Sequence, residues 1–113
     1  TGASYWELAE PAIAALLDGP RKSVGHACEV ETSMVLHLRP ELVRTGEIKD
    51  DVETVPEALR GLFIAKDMAQ RTDHGAVGYP EQASADKGRR LLDAIVTRVA
   101  AVSESLLREP LPS

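Results

Sequence analysis

Apolar residues recur at helical spacing near the start of the chain, between Glu7 and Asp18, which predicts a helix there. The pair Gly19-Pro20 is a normal ending for such a helix. The stretch Ser4-Tyr5-Trp6, just before it, is predicted to close a short strand. The apolar positions of the helix are Leu8, Ile13, Leu16 and Leu17.

A second helix is predicted from Glu29 to Leu38, after a polar linker over residues 19–23. Pro40 ends it, because the residue before a proline disfavours helical dihedrals. We expect this helix to be mostly buried. The residues expected to face inward are Val30, Met34, Val35 and Leu38.

In the middle of the chain the apolar residues do not recur with a clear helix or strand period. Residues 44–56 are polar and acidic and are predicted to form an exposed loop, since their acidic side chains lack the glycine placement of a calcium loop. Residues 58–69 are apolar enough for either a short buried strand or a helical turn. The glycines and proline of residues 72–80 predict another loop.

A long amphipathic helix is predicted after Ser84, which is a good N-cap, and ends before Pro110. At about 1.5 Å per residue it spans roughly 35 Å, so it needs a partner surface such as a sheet or a coiled coil. Taken alone, the chain is predicted to be mostly helical. The apolar stripe of this helix consists of Gly88, Leu92, Ile95, Val99, Val102 and Leu106.

Composition excludes several classes of protein. The net charge of −5 provides no basic face for nucleic acid, and no apolar run approaches a membrane span. With no signal peptide recognised, we expect a cytoplasmic protein. The single cysteine, Cys28, cannot form an internal disulfide; it is predicted to be a small buried residue rather than a nucleophile.

Residues 25–33 carry the main candidate chemistry, because they place one imidazole and two carboxylates at the start of a helix. A histidine there can transfer a proton or hold a metal, and a carboxylate one turn later can face the same cleft. His26 and Glu31 converge only if His26 lies just outside the helix. The alternative is that Glu29 and Glu31 complement the helix dipole while His26 caps the helix.

The same segment resembles a known family. The C-terminal signature of the creatininase (creatinine amidohydrolase) family is similar to Gly25-His26-Ala27, Glu29 and Glu31-Thr32-Ser33, followed by Leu36 and Leu38-Arg39-Pro40-Glu41-Leu42-Val43. A second block agrees with the segment that leads into the last helix of that family: Asp73, Gly75, Val77-Gly78, Pro80, Ala83 and Lys87-Gly88.

This resemblance implies an α/β fold, in which residues 1–113 form the C-terminal portion of one three-layer α/β/α domain. It also implies an amidohydrolase that cleaves a cyclic amide or related C–N bond with two divalent metals, commonly zinc, manganese or iron. The N-terminal metal ligands of the family are absent from this sequence, and neither His37 nor His74 replaces them. We therefore expect a fragment, or a subunit whose N-terminal half is on another chain, within a homo-oligomer such as a hexamer.

The resemblance also implies roles for single residues. His26 resembles the histidine that contacts substrate and delivers a proton to the leaving nitrogen, and Glu31 resembles the carboxylate that faces the metals, as a ligand or by orienting the attacking water. Trp6 resembles an aromatic residue of the substrate pocket, although a core position is equally compatible. Lys22 departs from creatininase, which has a second tryptophan just before its histidine, and this questions creatinine as substrate.

Three alternatives remain open at this stage. A non-catalytic remnant that keeps the fold for binding or assembly would explain the missing ligands. A plain helical interaction domain would require both sequence blocks to match by chance. An N-terminal threonine can act as a nucleophile with its own amino group as the base, so Thr1 is a further candidate.

Overall fold

The structure, a computed structural model, describes residues 2–110. The hypothesis about Thr1 therefore lies outside the described residues. Within them the chain forms four α-helices joined by loops that contain short 3-10 turns. The prediction of a mostly helical chain is confirmed.

The first predicted helix is interrupted. Helix α1 covers Tyr5–Leu8 and helix α2 covers Glu10–Leu16, with Ala9 between them. Pro11 lies in the first turn of α2, and its missing N–H prevents a hydrogen bond back to the preceding turn, which explains the break. The predicted strand at Ser4-Tyr5-Trp6 is wrong, because the Ser4 carbonyl accepts hydrogen bonds from the N–H groups of Glu7 and Leu8 and starts α1.

Helix α3 covers Glu29–Leu38, as predicted. Val30 is fully buried and Met34 packs against the core, but Val35 and Leu38 are exposed, so half of the predicted inward face is wrong. Val35 instead lines an open cleft on the other side of the helix.

Helix α4 covers Ala85–Arg108 and packs across α1, α2 and α3. The Ser84 hydroxyl accepts a hydrogen bond from the Lys87 N–H at 3.1 Å, which confirms the predicted cap. Only the first half of the helix is covered: Leu91 and Ile95 are buried, whereas Val99 and Leu106 of the predicted stripe are exposed. The helix is 24 residues long, and all of its buried residues lie in its first half.

The core joins these helices around a small group of apolar side chains. Cys28 is among them, so its predicted role as a buried filler is confirmed. Helices α3 and α4 approach closely at Gly88, where an added Cβ would lie only 1.8 Å from the Ser33 carbonyl oxygen. The buried core consists of Ala9, Ile13, Leu17, Cys28, Val30, Leu91 and Ile95.

A buried ion pair ties α3 and α4 together. The Lys87 ammonium donates to Glu29 Oε1 at 2.7 Å, and both side chains are at most 4% exposed. Lys87 also donates to Asp18 Oδ2 at 2.6 Å and to the Gln82 carbonyl at 2.5 Å. The Glu29 carboxylate accepts from the N–H groups of Asp18 at 2.7 Å and Gly19 at 3.0 Å. These contacts also end α2 before Asp18.

This network corrects the interpretation of Glu29 as a minor complement to the helix dipole. Burial alone would lower the pKa of Lys87, but its hydrogen bonds to Asp18 and Glu29 outweigh that effect and raise the pKa above 10.5. The stabilising contribution of Lys87 is therefore complete below pH 10.5 and is lost as the pH rises through the folded pKa.

The loops before α3 and between α3 and α4 pair only briefly. Antiparallel bridges join His26 to Val77 and Asp51 to Gly78, and these are the isolated bridges found in residues 2–110. The described residues alone thus do not display the sheet of a layered α/β/α fold. None of the helices over this range combines the length and the apolar character that crossing a membrane requires.

Residues 44–56 form a loop, as predicted, with one 3-10 turn at Thr45–Glu47. Residues 58–69 form neither a strand nor an α-helix; they contain 3-10 turns at Glu57–Leu59 and Met68–Gln70. The apolar residues between these turns, including Leu62 and Phe63, are exposed. Because these apolar residues are not buried on one face of a regular element, their spacing follows neither the helix nor the strand period. The loop predicted over residues 72–80 is confirmed.

Lys87→Met should destabilise the chain by about 3–5 kcal/mol, because it leaves the Glu29 carboxylate buried without its cation. Urea unfolding measures this loss. The matched control is Arg90→Met on the same helix, since Arg90 is exposed and pairs only with Asp86, and it should cost under about 1 kcal/mol. Equal losses for the two variants would contradict the importance of the buried pair.

Candidate functional site

An open cleft of about 570 Å³ lies beside the start of α3. One wall comes from α3 and the residues just before it, and a second from residues 42–49, which we call the wall segment. Residues 74–76 and Pro80 close the end. Both residues predicted to be catalytic, His26 and Glu31, line this cleft.

The backbone around His26 is fixed by pairing. His26 N–H donates to the Val77 carbonyl at 3.0 Å, and Val77 N–H donates to the His26 carbonyl at 2.7 Å. At Gly25 an added Cβ would lie 2.0 Å from the Val77 carbonyl oxygen, so glycine permits this close approach. His26 is thus held just outside α3, as convergence with Glu31 requires, and its side chain is exposed to the cleft.

Glu31 lies in the first turn of α3 and is half-buried. Its Oε2 atom is buried and has no hydrogen-bond partner among residues 2–110. Buried polar atoms almost always have a partner, so this oxygen is suited to accept a proton donor or a cation. Burial raises the pKa of Tyr5, and the negative charge of the nearby Glu31 raises it further.

Glu31 and Glu29 therefore differ in their surroundings although they are two residues apart. Glu29 is satisfied by Lys87 and by two backbone N–H groups, whereas Glu31 Oε2 faces no donor in the described chain. The first carboxylate is held by the fold, and the second keeps an oxygen without a partner among residues 2–110.

Trp6 is not among the described residues that line this cleft. It is 44% exposed, packs edge-to-face on Tyr5 at a ring separation of 5.0 Å, and lines a separate depression with Glu10 and Lys22. The interpretation of Trp6 as a core residue is wrong. Lys22 donates from its ammonium to the Leu17 carbonyl at 2.6 Å, so it stabilises the end of α2.

His74 is a cleft residue that the sequence did not reveal. It lines the cleft with His26 and Glu31, and its Nε2 lies 3.0 Å from the Lys49 carbonyl oxygen. Only the folding of the 72–78 loop against the wall segment brings it there, so no motif could have identified it. His37, by contrast, is exposed on α3 and does not line the cleft.

The acidic loop is less solvated than expected. Glu53 pairs with Lys66 at 3.1 Å and with Arg71 at 2.9 Å, and hydrogen bonds from Arg71 and Lys66 lower its pKa. Asp51 Oδ2 accepts from the Thr72 hydroxyl at 2.7 Å and from Asp73 N–H at 2.9 Å, which lowers the pKa of Asp51. These carboxylates connect the two loops that border the cleft.

No group of three or more His, Cys, Asp or Glu side chains in residues 2–110 is arranged to hold a metal ion. Glu31, which lines the cleft and whose Oε2 has no hydrogen-bond partner in the described residues, could supply one ligand. A complete metal site would therefore need further ligands beyond those of the described chain.

Comparisons with known proteins agree on one family. The family model described as creatinine amidohydrolase (Creatininase) matches residues 2–103. The crystal structure of a protein from Bacteroides fragilis NCTC 9343, described as "Putative creatinine amidohydrolase", resembles this chain with a TM-score of 0.74 and 26% sequence identity. The match covers 98% of this chain and 44% of that protein, so the chain spans less than half of its length. None of the curated proteins matches the chain.

The fold, the two sequence blocks and the family model coincide over the same residues, and that model spans most of the chain. The chain belongs to the creatininase (creatinine amidohydrolase) family.

Proposed function

We propose that this chain is the C-terminal portion of a metal-dependent amidohydrolase that hydrolyses a cyclic amide or a related C–N bond. The observation that carries the proposal is that Glu31, whose buried Oε2 has no hydrogen-bond partner among residues 2–110, lines the same cleft as the exposed His26 imidazole. Family membership supports the reaction class.

Glu31 is proposed to hold one of the divalent metal ions, zinc, manganese or iron, or to orient the attacking water beside it. Such a cation would polarise the amide carbonyl and lower the pKa of a bound water. The remaining ligands are proposed to lie outside these 113 residues, on another part of the protein or on another chain. The length of the solved relative leaves room for them.

His26 is proposed to bind substrate and deliver a proton to the leaving nitrogen. Amide cleavage needs such a donor, because an amine anion is a poor leaving group. The Val77 pairing holds the His26 backbone, and the imidazole is exposed beside the cleft.

The role of Trp6 in substrate binding stays a prediction. The depression lined by Trp6 is separate from the cleft within residues 2–110. A contact between Trp6 and a substrate in the cleft would therefore require another part of the protein to join the two. Lys22 occupies the position of the second tryptophan of creatininase, which favours a cyclic amide other than creatinine.

The larger assembly is also part of the proposal. We propose that a parallel sheet from the rest of the protein completes the three-layer α/β/α fold and covers the exposed apolar residues of α4, among them Val99 and Leu106. A cytoplasmic homo-oligomer, such as a hexamer, that acts on a small-molecule amide remains our expectation.

A second candidate function is a non-catalytic binding or assembly module of the same fold. The lack of a complete ligand group in residues 2–110 favours it. Metal analysis of the intact protein separates the two candidates, because the enzyme requires bound metal and the module does not.

His26→Ala in the intact protein should lower turnover by about a hundredfold or more, the usual scale for a general acid, while metal content stays nearly unchanged. Steady-state kinetics and metal analysis measure the two effects. His37→Ala is the matched control, because His37 is exposed outside the cleft. Loss of metal in step with activity would show that His26 is a ligand instead.

Glu31→Gln keeps the shape of the side chain but removes its negative charge, so metal affinity should fall by about tenfold to a hundredfold, with activity falling as well. Metal titration of the intact protein measures this change. Glu10→Gln is the control, since Glu10 is exposed and lies away from the cleft.

Glu29→Gln cannot serve as a mild control, because the Glu29 carboxylate supports the fold through Lys87. Unchanged metal affinity in Glu31→Gln would contradict the proposed role of Glu31.

A further inference from the structure

No residue of the wall segment, residues 42–49, is fully buried. Leu42 at its start is exposed and ends a 3-10 turn at Pro40–Leu42, and the rest of the segment forms one further 3-10 turn, at Thr45–Glu47. Just beyond its end, Asp51 forms a two-hydrogen-bond bridge with Gly78, and Asp50 and Glu81 exchange hydrogen bonds between side-chain oxygens and backbone N–H groups. Hydrogen bonds at the end of the wall segment therefore contribute much to holding this wall of the cleft in position.

His74 makes the contact that reaches into the wall segment itself. Its Nε2 lies 3.0 Å from the Lys49 carbonyl oxygen, and because a carbonyl only accepts, Nε2 carries the hydrogen. Its Nδ1 lies 3.5 Å from Asp51 Oδ2. One imidazole thus connects the 72–78 loop to the last residue of the wall segment.

The loop that carries His74 is itself ordered. The Thr72 hydroxyl donates to Asp51 Oδ2 at 2.7 Å and accepts from the N–H groups of His74 at 3.3 Å and Gly75 at 3.1 Å. Asp73 N–H donates to the same Asp51 oxygen at 2.9 Å. The imidazole is therefore presented to Lys49 from a fixed base.

We propose that His74 is a positioning residue that sets the width of the cleft by holding the wall segment opposite His26 and Glu31. The inference rests on the proposed function for its effect on substrate binding, but the contact itself does not depend on any substrate. Substrate recognition by the apolar wall residues, such as Val43 and Ile48, would depend on this contact.

The geometry argues against His74 as a second proton donor. Nε2 is bonded to Lys49 and Nδ1 faces Asp51, so both ring nitrogens are directed at protein atoms rather than at the cleft. Replacing His74 should therefore change substrate affinity and the mobility of the wall, with little effect on the chemical step.

The test compares His74→Phe and His74→Gln in the intact protein, with His37→Phe as the matched control. Phenylalanine keeps the ring and loses the donor, whereas glutamine can still donate to the Lys49 carbonyl. Hydrogen exchange is followed at the backbone N–H groups of Glu47, Asp50 and Asp51, which are hydrogen-bonded in or beside the wall segment.

The net free energy of one hydrogen bond corresponds to a factor of about 2 to 12 in an equilibrium constant. His74→Phe should therefore speed exchange at these three amides and raise KM by factors in that range. kcat should change by less than about twofold, since the chemical step is unaffected. His74→Gln should restore much of both properties, and His37→Phe should change neither. Kinetics use a panel of cyclic amides that begins with creatinine.

Unchanged exchange in His74→Phe would overturn the inference, as would a fall in kcat at constant KM, which would place His74 at the reacting atoms. Faster exchange in a protein that hydrolyses no amide would support the positioning contact and contradict the proposed function. The two claims can therefore fail separately.

Discussion

The buried contact between Glu29 and Lys87 is the constraint on which the rest of the structure depends. It joins α3 to α4, and its hydrogen bonds to Asp18, Gly19 and Gln82 hold the end of α2 and the turn before α4 in the same place. A buried pair of charges is stabilising only when its other hydrogen bonds are also made, and here they are made. The pair also fixes how α3 is rotated about its axis.

That rotation determines the direction of Glu31. Residues two apart on a helix differ in direction by about 200°, so a helix that turns Glu29 toward α4 turns Glu31 away from it. Ser33, four residues after Glu29, returns to the α4 side, where it is fully buried and packs against Gly88. Glu31 is left beside the open cleft, and one of its oxygens has no partner in the part of the chain that the structure describes. The ion pair lies on one face of α3, and the Glu31 carboxylate lies on the other.

Local patterns predicted much of this fold. The bounds of α3, the Ser84 cap and the end of α4 follow from short-range signals, namely a proline stop and a hydroxyl cap, and the structure confirms them. The break between α1 and α2 was missed, although Pro11 signals it. Val35 was expected inward because it is apolar, but it lines the cleft instead.

The candidate site likewise contains residues that the sequence could identify and residues that it could not. His26 and Glu31 lie in one motif and could be paired from the sequence. Glu29 was underestimated because its partner Lys87 lies 58 residues further along the chain, and no local pattern links them. His74 was missed because its contacts with Lys49 and Asp51 depend on how two irregular loops meet. Contacts of this kind are properties of the fold rather than of any segment.

The most direct measurement of the central claim is a crystal structure of the intact protein with zinc, with the metal located by its anomalous scattering. The account predicts a zinc ion within about 2.0–2.2 Å of a Glu31 carboxylate oxygen, or joined to it by one water, with Glu29 still bound to Lys87. Zinc held elsewhere, with Glu31 Oε2 hydrogen-bonded to a protein donor, would contradict it.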